Sequence, residues 1–245
     1  MDINLIIFCL VILCAIIFQI RSAKKIKSKQ QDKFFKLNTE ISNTRDDNNI
    51  EKLNLFALEI EDDIIKGSKN HKESDQDLYE LKYAATHVYC SLSRVDNKNY
   101  PDHIKKAINH YSKIPLDNIS NLEKQIKMKL AEALILYQRG ENEHNQKDLE
   151  ESIEIQKFLM EKVEKREKKF SEVAWMVNHF LGCSMIFHPD MTNYKDDIRK
   201  TIQLGIELNK KAMALYIENY GYKTLPLTIP GKIIAGWKLL YPEGK

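Results

Sequence analysis

An uninterrupted apolar run near the start of the chain constrains its fold and location more than any other feature. Residues Leu5 to Phe18 are all apolar, and Ile3 and Ile20 extend the run to 18 positions with only two polar members. As an α-helix the run is about 27 Å long, which matches the hydrocarbon core of a bilayer. A buried helix of a soluble protein is disfavoured because the run has no polar face. We therefore predict a transmembrane anchor over 3–20, within a first segment 1–20.

Basic side chains follow the apolar run, and none precedes it. The five cations, with no acid between them, are Arg21, Lys24, Lys25, Lys27 and Lys29. Lys and Arg beside a membrane span are retained on the cytoplasmic side. We therefore expect the N-terminus outside and the rest of the chain in the cytoplasm. The same five side chains would contact anionic lipid headgroups at the membrane surface.

A cleaved export signal with an exported body is the alternative to an anchor. Signal peptides carry cations before the apolar stretch, whereas this chain begins MDIN. The small pair Ser22-Ala23 lies among cations, which is a poor cleavage context. With no organelle signal, and with much Lys, Asn and Ile, the pattern favours a single-pass protein of a bacterial inner membrane.

The composition of the remaining chain favours helices and disfavours several kinds of site. The 245 residues include only 8 Gly and 6 Pro, too few for a sheet-rich fold with many tight turns. Without the five flanking cations the chain has 33 basic and 35 acidic side chains, so nucleic-acid binding is not predicted. The four cysteines lack the spacing of a disulfide framework or a zinc site. We predict an all-α protein with no metal and no cofactor.

Apolar periodicity divides the chain after the anchor. A basic juxtamembrane segment and linker, either helical or extended, is predicted over 21–49, a helical domain over 50–217 and a C-terminal capping segment over 218–245. One amphipathic helix is indicated by apolar residues three and four apart, at Ile50, Leu53, Ala57, Ile60 and Ile64. Gly67 is predicted to end this helix. Ser120 and Glu123 have the spacing of a capping box at the start of a later helix.

Three helix pairs are predicted between residues 78 and 220, and their second helices share a pattern. A large apolar residue, a small residue three positions later and then isoleucine recur every 45 to 49 residues. The small residues are Ala107, Ser152 and Thr201 in the second helices, with Ala85, Ala133 and Val177 at similar separations in the first helices. Small residues allow close helix contact, so a stack of helical hairpins is predicted.

This pattern resembles a divergent tetratricopeptide-type helical repeat over about 78–217. Leu81, Ala84, Ala85 and Val88 match the family's first helix, and Ala107 with Tyr111 its second. The later repeats depart, since Gln156 and Gly205 replace the aromatic residue. The resemblance implies a groove lined by the first helices that binds a protein or peptide partner. The partner-binding residues implied by the resemblance are Lys82, Thr86, Tyr89, Tyr137 and Asn178.

The C-terminal segment differs from the repeats. Pro226 and Pro230 are predicted to bracket an extended piece, and a helix after them would place Ile233, Ile234, Trp237, Leu240 and Tyr241 on one face. A capping helix is favoured because one short helix binds a bilayer weakly. A second membrane contact, with Trp237 between Lys232 and Lys238, is the alternative.

No catalytic motif occurs, so a non-enzymatic adaptor is the leading functional hypothesis. The chain has no glycine-rich phosphate loop, GxSxG or HExxH sequence. One alternative is a membrane-attached enzyme, for which His87, His110 and His179 would have to lie together. A further alternative is a structural subunit whose transmembrane helix binds other subunits.

Overall fold

A computed structural model describes residues 36–70, 75–114, 119, 121–165, 171–191, 197–222 and 225–242. Throughout these ranges the regular structure is helical, without strands, which confirms the predicted all-α class. The helices are α1 (36–46), α2 (Ile50–Asn70), α3 (Asp75–Val95), α4 (Tyr100–Ser112), α5 (Leu122–Glu143), α6 (Gln146–Glu164), α7 (Ser171–Phe187), α8 (Ile198–Tyr220) and α9 (Thr228–Leu240).

Residues Thr39–Lys245 form one compact unit, and Met1–Asn38 form another. The stretch 39–49, which the sequence analysis places in the linker, belongs to the unit Thr39–Lys245 and contributes the fully buried Ile41 to it. The predicted anchor and its five cations lie outside the described residues. In the part of the chain that is described, no helix has both the length and the apolarity needed to cross a bilayer.

Consecutive helices pack as hairpins, as the sequence predicts. The most extensive contacts join α3 to α4, α5 to α6 and α7 to α8. All six small positions of the predicted pairs are buried: Ala85, Ala107, Ala133, Ser152, Val177 and Thr201. In the middle hairpin, the Ser152 hydroxyl donates a hydrogen bond of 2.7 Å to the Ala133 carbonyl, so the two small positions face each other directly.

The α7–α8 hairpin is the most tightly packed because glycines face each other across it. A Cβ atom on Gly182 would lie 2.8 Å from the Gly205 carbonyl oxygen and 2.4 Å from the Asn209 side-chain nitrogen. Any side chain at Gly182 would therefore force the two helices apart. Another part of the core fills the space between α5, α6 and α7 with buried aliphatic residues, including Leu130, Leu159 and Leu181.

Three local predictions were wrong at helix ends. Gly67 does not end α2, which continues to Asn70, because an isolated glycine only weakens a helix whose other residues pack well. The N-cap residue of α5 is Asn121 and not Ser120, which the capping-box spacing predicts. The Asn121 side chain accepts hydrogen bonds from the backbone N–H groups of Glu123 and Lys124. The stretch from Pro226 to Pro230 is a turn and the start of α9, since proline is well tolerated in the first turn of a helix.

Candidate functional site

A cleft of about 430 Å³ lies where the first and last helices of the compact unit meet. One wall is the end of α1 and the turn into α2, a second is the end of α3, and the third is the first half of α9. The lining residues are Arg45, Asp46, Asp47, Asn48, Arg94, Val95, Leu227, Thr228, Gly231, Lys232 and Ala235. We call this the cationic cleft because Arg45, Arg94 and Lys232 converge on it.

Arg45 is the most enclosed of the three cations. Its side chain is only 12% exposed, and its Nε and Nη2 atoms donate hydrogen bonds of 3.1 and 3.0 Å to one oxygen of Asp46. Burial lowers the pKa of Arg45, the Asp46 carboxylate opposes this shift, and Arg94 adds to it. One neighbouring carboxylate therefore compensates the buried guanidinium charge, while Arg94 repels it.

Lys232 closes the cleft from α9. Burial lowers the pKa of Lys232, and both Arg94 and Arg45 lower it further by repulsion. Its Nζ lies 4.5 Å from the centre of the Phe187 ring, a cation–π contact that partly compensates for lost water. Among the described residues that line the cleft, two carboxylates stand against the three cations, those of Asp46 and Asp47. The cleft has one excess positive charge in a partly desolvated place, which is a favourable environment for an anion.

A polar cluster within electrostatic range of the cleft consists of His179, Cys183 and Asn209, on α7 and α8. His179 Nδ1 lies 2.7 Å from Asn209 Oδ1, and the Cys183 sulfur lies 3.8 Å from Nδ1 and 3.9 Å from Nε2. Burial lowers the pKa of His179 to about 4, with Arg45, Lys232 and Arg94 adding to the shift. Burial raises the pKa of Cys183 to about 11 despite the same three cations.

Cysteine, histidine and asparagine are residue types that act together in some hydrolases, but this cluster lacks the required charge state. Nucleophilic cysteines work as thiolates whose pKa has been lowered by a nearby cation or imidazolium. Here the thiol and the imidazole are both neutral near pH 7, because burial opposes both charges. In this conformation the cluster serves as a hydrogen-bonded contact between α7 and α8.

Three of the predicted partner-binding residues lie inside the helical body. Thr86 and Asn178 have no exposed surface and Tyr89 is 2% exposed. The Thr86 hydroxyl and the Asn178 amide donate to carbonyls one turn earlier in their own helices. Tyr89 donates a hydrogen bond of 2.6 Å to Glu61 and stacks between two histidine rings of α4. The role of these residues in binding stays a prediction, which this conformation does not favour.

The other two predicted residues are half-buried. Lys82 donates to the Lys113 carbonyl at 2.9 Å, so its ammonium lies across the α3–α4 hairpin. The Tyr137 hydroxyl lies 3.1 Å from His188 Nε2, which is also 3.0 Å from Glu141. Arg94 and Cys183 both influence the pKa of Tyr137, which burial raises. Tyr137 therefore lies near the cationic cleft, although it does not line it.

The three histidines of the enzyme hypothesis have different neighbours. His87 stacks on Tyr83, His110 stacks on Tyr89 and lies 3.5 Å from Glu61, and His179 contacts Asn209. Across the described ranges, no three His, Cys, Asp or Glu side chains come together as a metal ion would require.

The cations of the cleft were missed because no local pattern marks them. Arg45, Arg94 and Lys232 come from three distant parts of the chain and meet only through the hairpin packing. The one available signal is that Arg94 lies at the end of a predicted helix, where side chains border a turn. In comparisons with known proteins, no family model, no curated protein and no solved structure matches this chain.

Proposed function

We propose that the chain is a membrane-tethered adaptor that holds an acidic segment of a partner protein in the cationic cleft. The observation that supports this most is the convergence of Arg45, Arg94 and Lys232, opposed by two carboxylates among the described lining residues. Charge complementarity of this kind sets which partner binds and how fast it is captured.

The size and lining of the cleft suit a short stretch of polypeptide. Its volume of about 430 Å³ is within the range of ligand-binding pockets, and Val95, Leu227 and Ala235 add apolar contact area beside the cations. Nucleic acid is a poorer candidate, since binding a phosphate backbone takes many cations and the cleft has a single excess charge. The repeat-like hairpins support the same proposal, since stacked helical hairpins commonly present extended binding surfaces.

The tether in this proposal is the apolar segment 3–20, with the N-terminus outside and the folded unit in the cytoplasm. A phosphatase fused after Lys245 is expected to be inactive, because the enzyme matures only outside the cytoplasm. Replacing Leu5–Phe18 by an unrelated span is expected to leave partner binding unchanged. Loss of binding with membrane location retained would instead favour a structural subunit whose transmembrane helix makes the contacts.

A direct test uses fluorescently labelled oligoglutamate and the full chain in mild detergent, with anisotropy as the readout. Oligoglutamate is expected to bind and uncharged oligoglutamine is not. Lys232→Gln and Arg94→Gln should each weaken binding about ten-fold, because each removes one of the three cations that line the cleft. Raising the salt concentration should also weaken binding.

The matched control is Lys105→Gln, which removes an exposed lysine of α4 that does not line the cleft. This variant should bind oligoglutamate as the unmodified chain does. Equal weakening by all three substitutions would show that only the overall charge matters. That result, or binding that ignores both cleft substitutions, would overturn the assignment of the cleft.

A further inference from the structure

The C-terminal helix α9 has a second apolar face that the packing leaves uncovered. Ile229, Gly236 and Leu240 are buried, with Ile206 of α8 directly against Gly236. On the other side, a stripe of large side chains is exposed: Leu227 by 73%, Ile234 by 56%, Trp237 by 39% and Tyr241 by 60%. The stripe follows helical spacing, so the four side chains form one continuous strip along the helix.

Cations border this stripe. The Lys210 Nζ lies 5.5 Å from the centre of the Trp237 ring, and the Arg199 guanidinium lies 5.5 Å from the centre of the Tyr241 ring. Lys238 adds an exposed charge from α9 itself. One carboxylate, that of Glu207, pairs with Lys210 at 2.7 Å. The rim therefore keeps a positive excess beside exposed aromatic rings.

We propose that this stripe of α9 lies on the surface of an anionic bilayer, an inference that rests on the proposed membrane tether. Tryptophan and tyrosine favour the boundary between headgroups and acyl chains, because their rings are apolar and their N–H or O–H groups are polar. The neighbouring Arg and Lys would contact anionic headgroups. An apolar stripe rimmed by cations is the pattern of helices that lie flat on membranes.

A short helix binds a bilayer weakly by itself, but the tether changes this limit. The linker between the predicted anchor and Thr39 spans at most about 60 Å when extended. Docking of α9 is then intramolecular, with an effective concentration in the millimolar range. A face with modest intrinsic affinity would therefore be bound for much of the time.

The bilayer and the acidic partner segment would use different flanks of α9, although Leu227, at the start of the stripe, also lines the cleft. At 100° per residue, Thr228, Lys232 and Ala235 of the cleft lie on the side opposite to Ile234 and Trp237. A bilayer under the stripe would thus leave the cleft accessible. The buried face of α9 would pack on the compact unit, its exposed stripe would contact the membrane, and the face that carries Lys232 would complete the cleft.

Tryptophan fluorescence tests the proposal because the chain has only two tryptophans, Trp175 and Trp237. In Trp175→Phe, reconstituted as the full chain, all tryptophan emission comes from Trp237, and excitation at the red edge of the absorption band avoids emission from tyrosine. Bilayers of equal parts brominated phosphatidylcholine and phosphatidylglycerol should quench this emission. Without phosphatidylglycerol the quenching should fall strongly. Arg199→Gln and Lys238→Gln should each weaken docking about five-fold.

Ile234→Glu on the same background should abolish quenching, since it places a carboxylate in the stripe. Leu58→Glu is the matched control: Leu58 is 62% exposed on α2, and quenching should persist. If Trp175→Phe fails to fold, the difference in quenching between the wild type and Ile234→Glu gives the same answer over a constant Trp175 background. Quenching that is absent, or unchanged by Ile234→Glu, would overturn the proposal. Flotation of the chain with vesicles and oligoglutamate binding report separately on the tether and the cleft.

Discussion

The cationic cleft and the neighbouring polar cluster differ in the charge state of their ionisable side chains, which are charged in the cleft and neutral in the cluster. In the polar cluster, the helices approach each other closely at Gly182 and Gly205, and burial keeps His179 and Cys183 neutral. In the cleft, Arg45 and Lys232 are also partly desolvated. Both carry a charge at neutral pH because the ordinary pKa values of arginine and lysine lie far above 7, and Asp46 bonds to Arg45.

This difference indicates where function can lie in a helical stack of this kind. Polar groups between tightly packed helices contribute hydrogen bonds, but they lose the charge that chemistry or ligand capture needs. Polar groups where helices end keep their charge, since a solvent-facing gap remains there. The cluster has the residue types of a catalytic site, and the cleft has the electrostatics of a binding site.

The largest expected effect is a loss of stability at acid pH, which comes from the polar cluster and not from the cleft. The folded-state pKa of His179 is about 4, below the value of about 6.5 for an unfolded chain. The unfolded state therefore takes up the proton first. The stability that the fold gains by keeping His179 neutral is fully present above pH 6.5 and is lost progressively as the pH falls towards 4. From His179 alone, the free energy of unfolding should fall by about 3 kcal/mol over this window.

Urea unfolding followed by circular dichroism, at several pH values on the full chain in detergent, measures this fall. Burial lowers the pKa of His87 to about 3, so His87 should contribute in the same direction. His179→Gln should reduce the total fall by about 3 kcal/mol and leave the part due to His87. Identical pH profiles for the wild type and His179→Gln would show that His179 is not buried as a neutral base.

The same substitution at two glycines should have opposite effects in the two regions. In Gly182→Ala the new methyl group would meet the Asn209 side chain and the Gly205 carbonyl, which should destabilise the fold by about 2 kcal/mol. A methyl group at Gly231, beside the cleft, meets nothing within 4 Å. Gly231→Ala should stabilise α9 by about 0.5 kcal/mol through lower backbone entropy in the unfolded chain.

Urea midpoints of the two alanine variants are the measurement. Displacing Asn209 should also disturb its bond to His179, so Gly182→Ala should weaken the pH dependence as well. A Gly182→Ala protein with wild-type stability would contradict the close helix contact. A Gly231→Ala protein destabilised by more than about 1 kcal/mol would mean that the cleft wall is packed rather than open.

The hairpins could be predicted because their signals are local and repeated. The period of apolar residues and the recurring small positions at Ala107, Ser152 and Thr201 depend on neighbouring residues, and all three lie at buried helix contacts. The implied groove residues were less predictable. Thr86 and Asn178 carry polar groups, but their side chains bond to their own helices. Sequence alone does not reveal which side of a helix a neighbour will cover.

The cleft could not be predicted because its parts meet only in the folded chain. The sequence places Arg45 in the predicted linker and Lys232 beside Trp237 in the alternative membrane contact, and nothing local relates them to Arg94. The face of α9 was predicted in part: Leu240 is buried as a cap requires, whereas Ile234 and Tyr241 are exposed. A run of apolar residues on a short helix gives no information about how wide the covered strip is.

Lys232→Gln should show the smallest change in stability and thereby separate binding from folding. The substitution removes the repulsion from Arg45 and Arg94, which favours folding. It also removes the attraction to Asp46 and the cation–π contact with Phe187, which opposes folding. Each effect is on the order of 0.5 kcal/mol, so the urea midpoint should stay nearly unchanged while oligoglutamate binding weakens. A large loss of stability would mean that Lys232 is a structural residue. An unchanged midpoint with weakened binding would mean that its charge is held in place for a ligand, because a cation repelled by two others adds nothing to the fold.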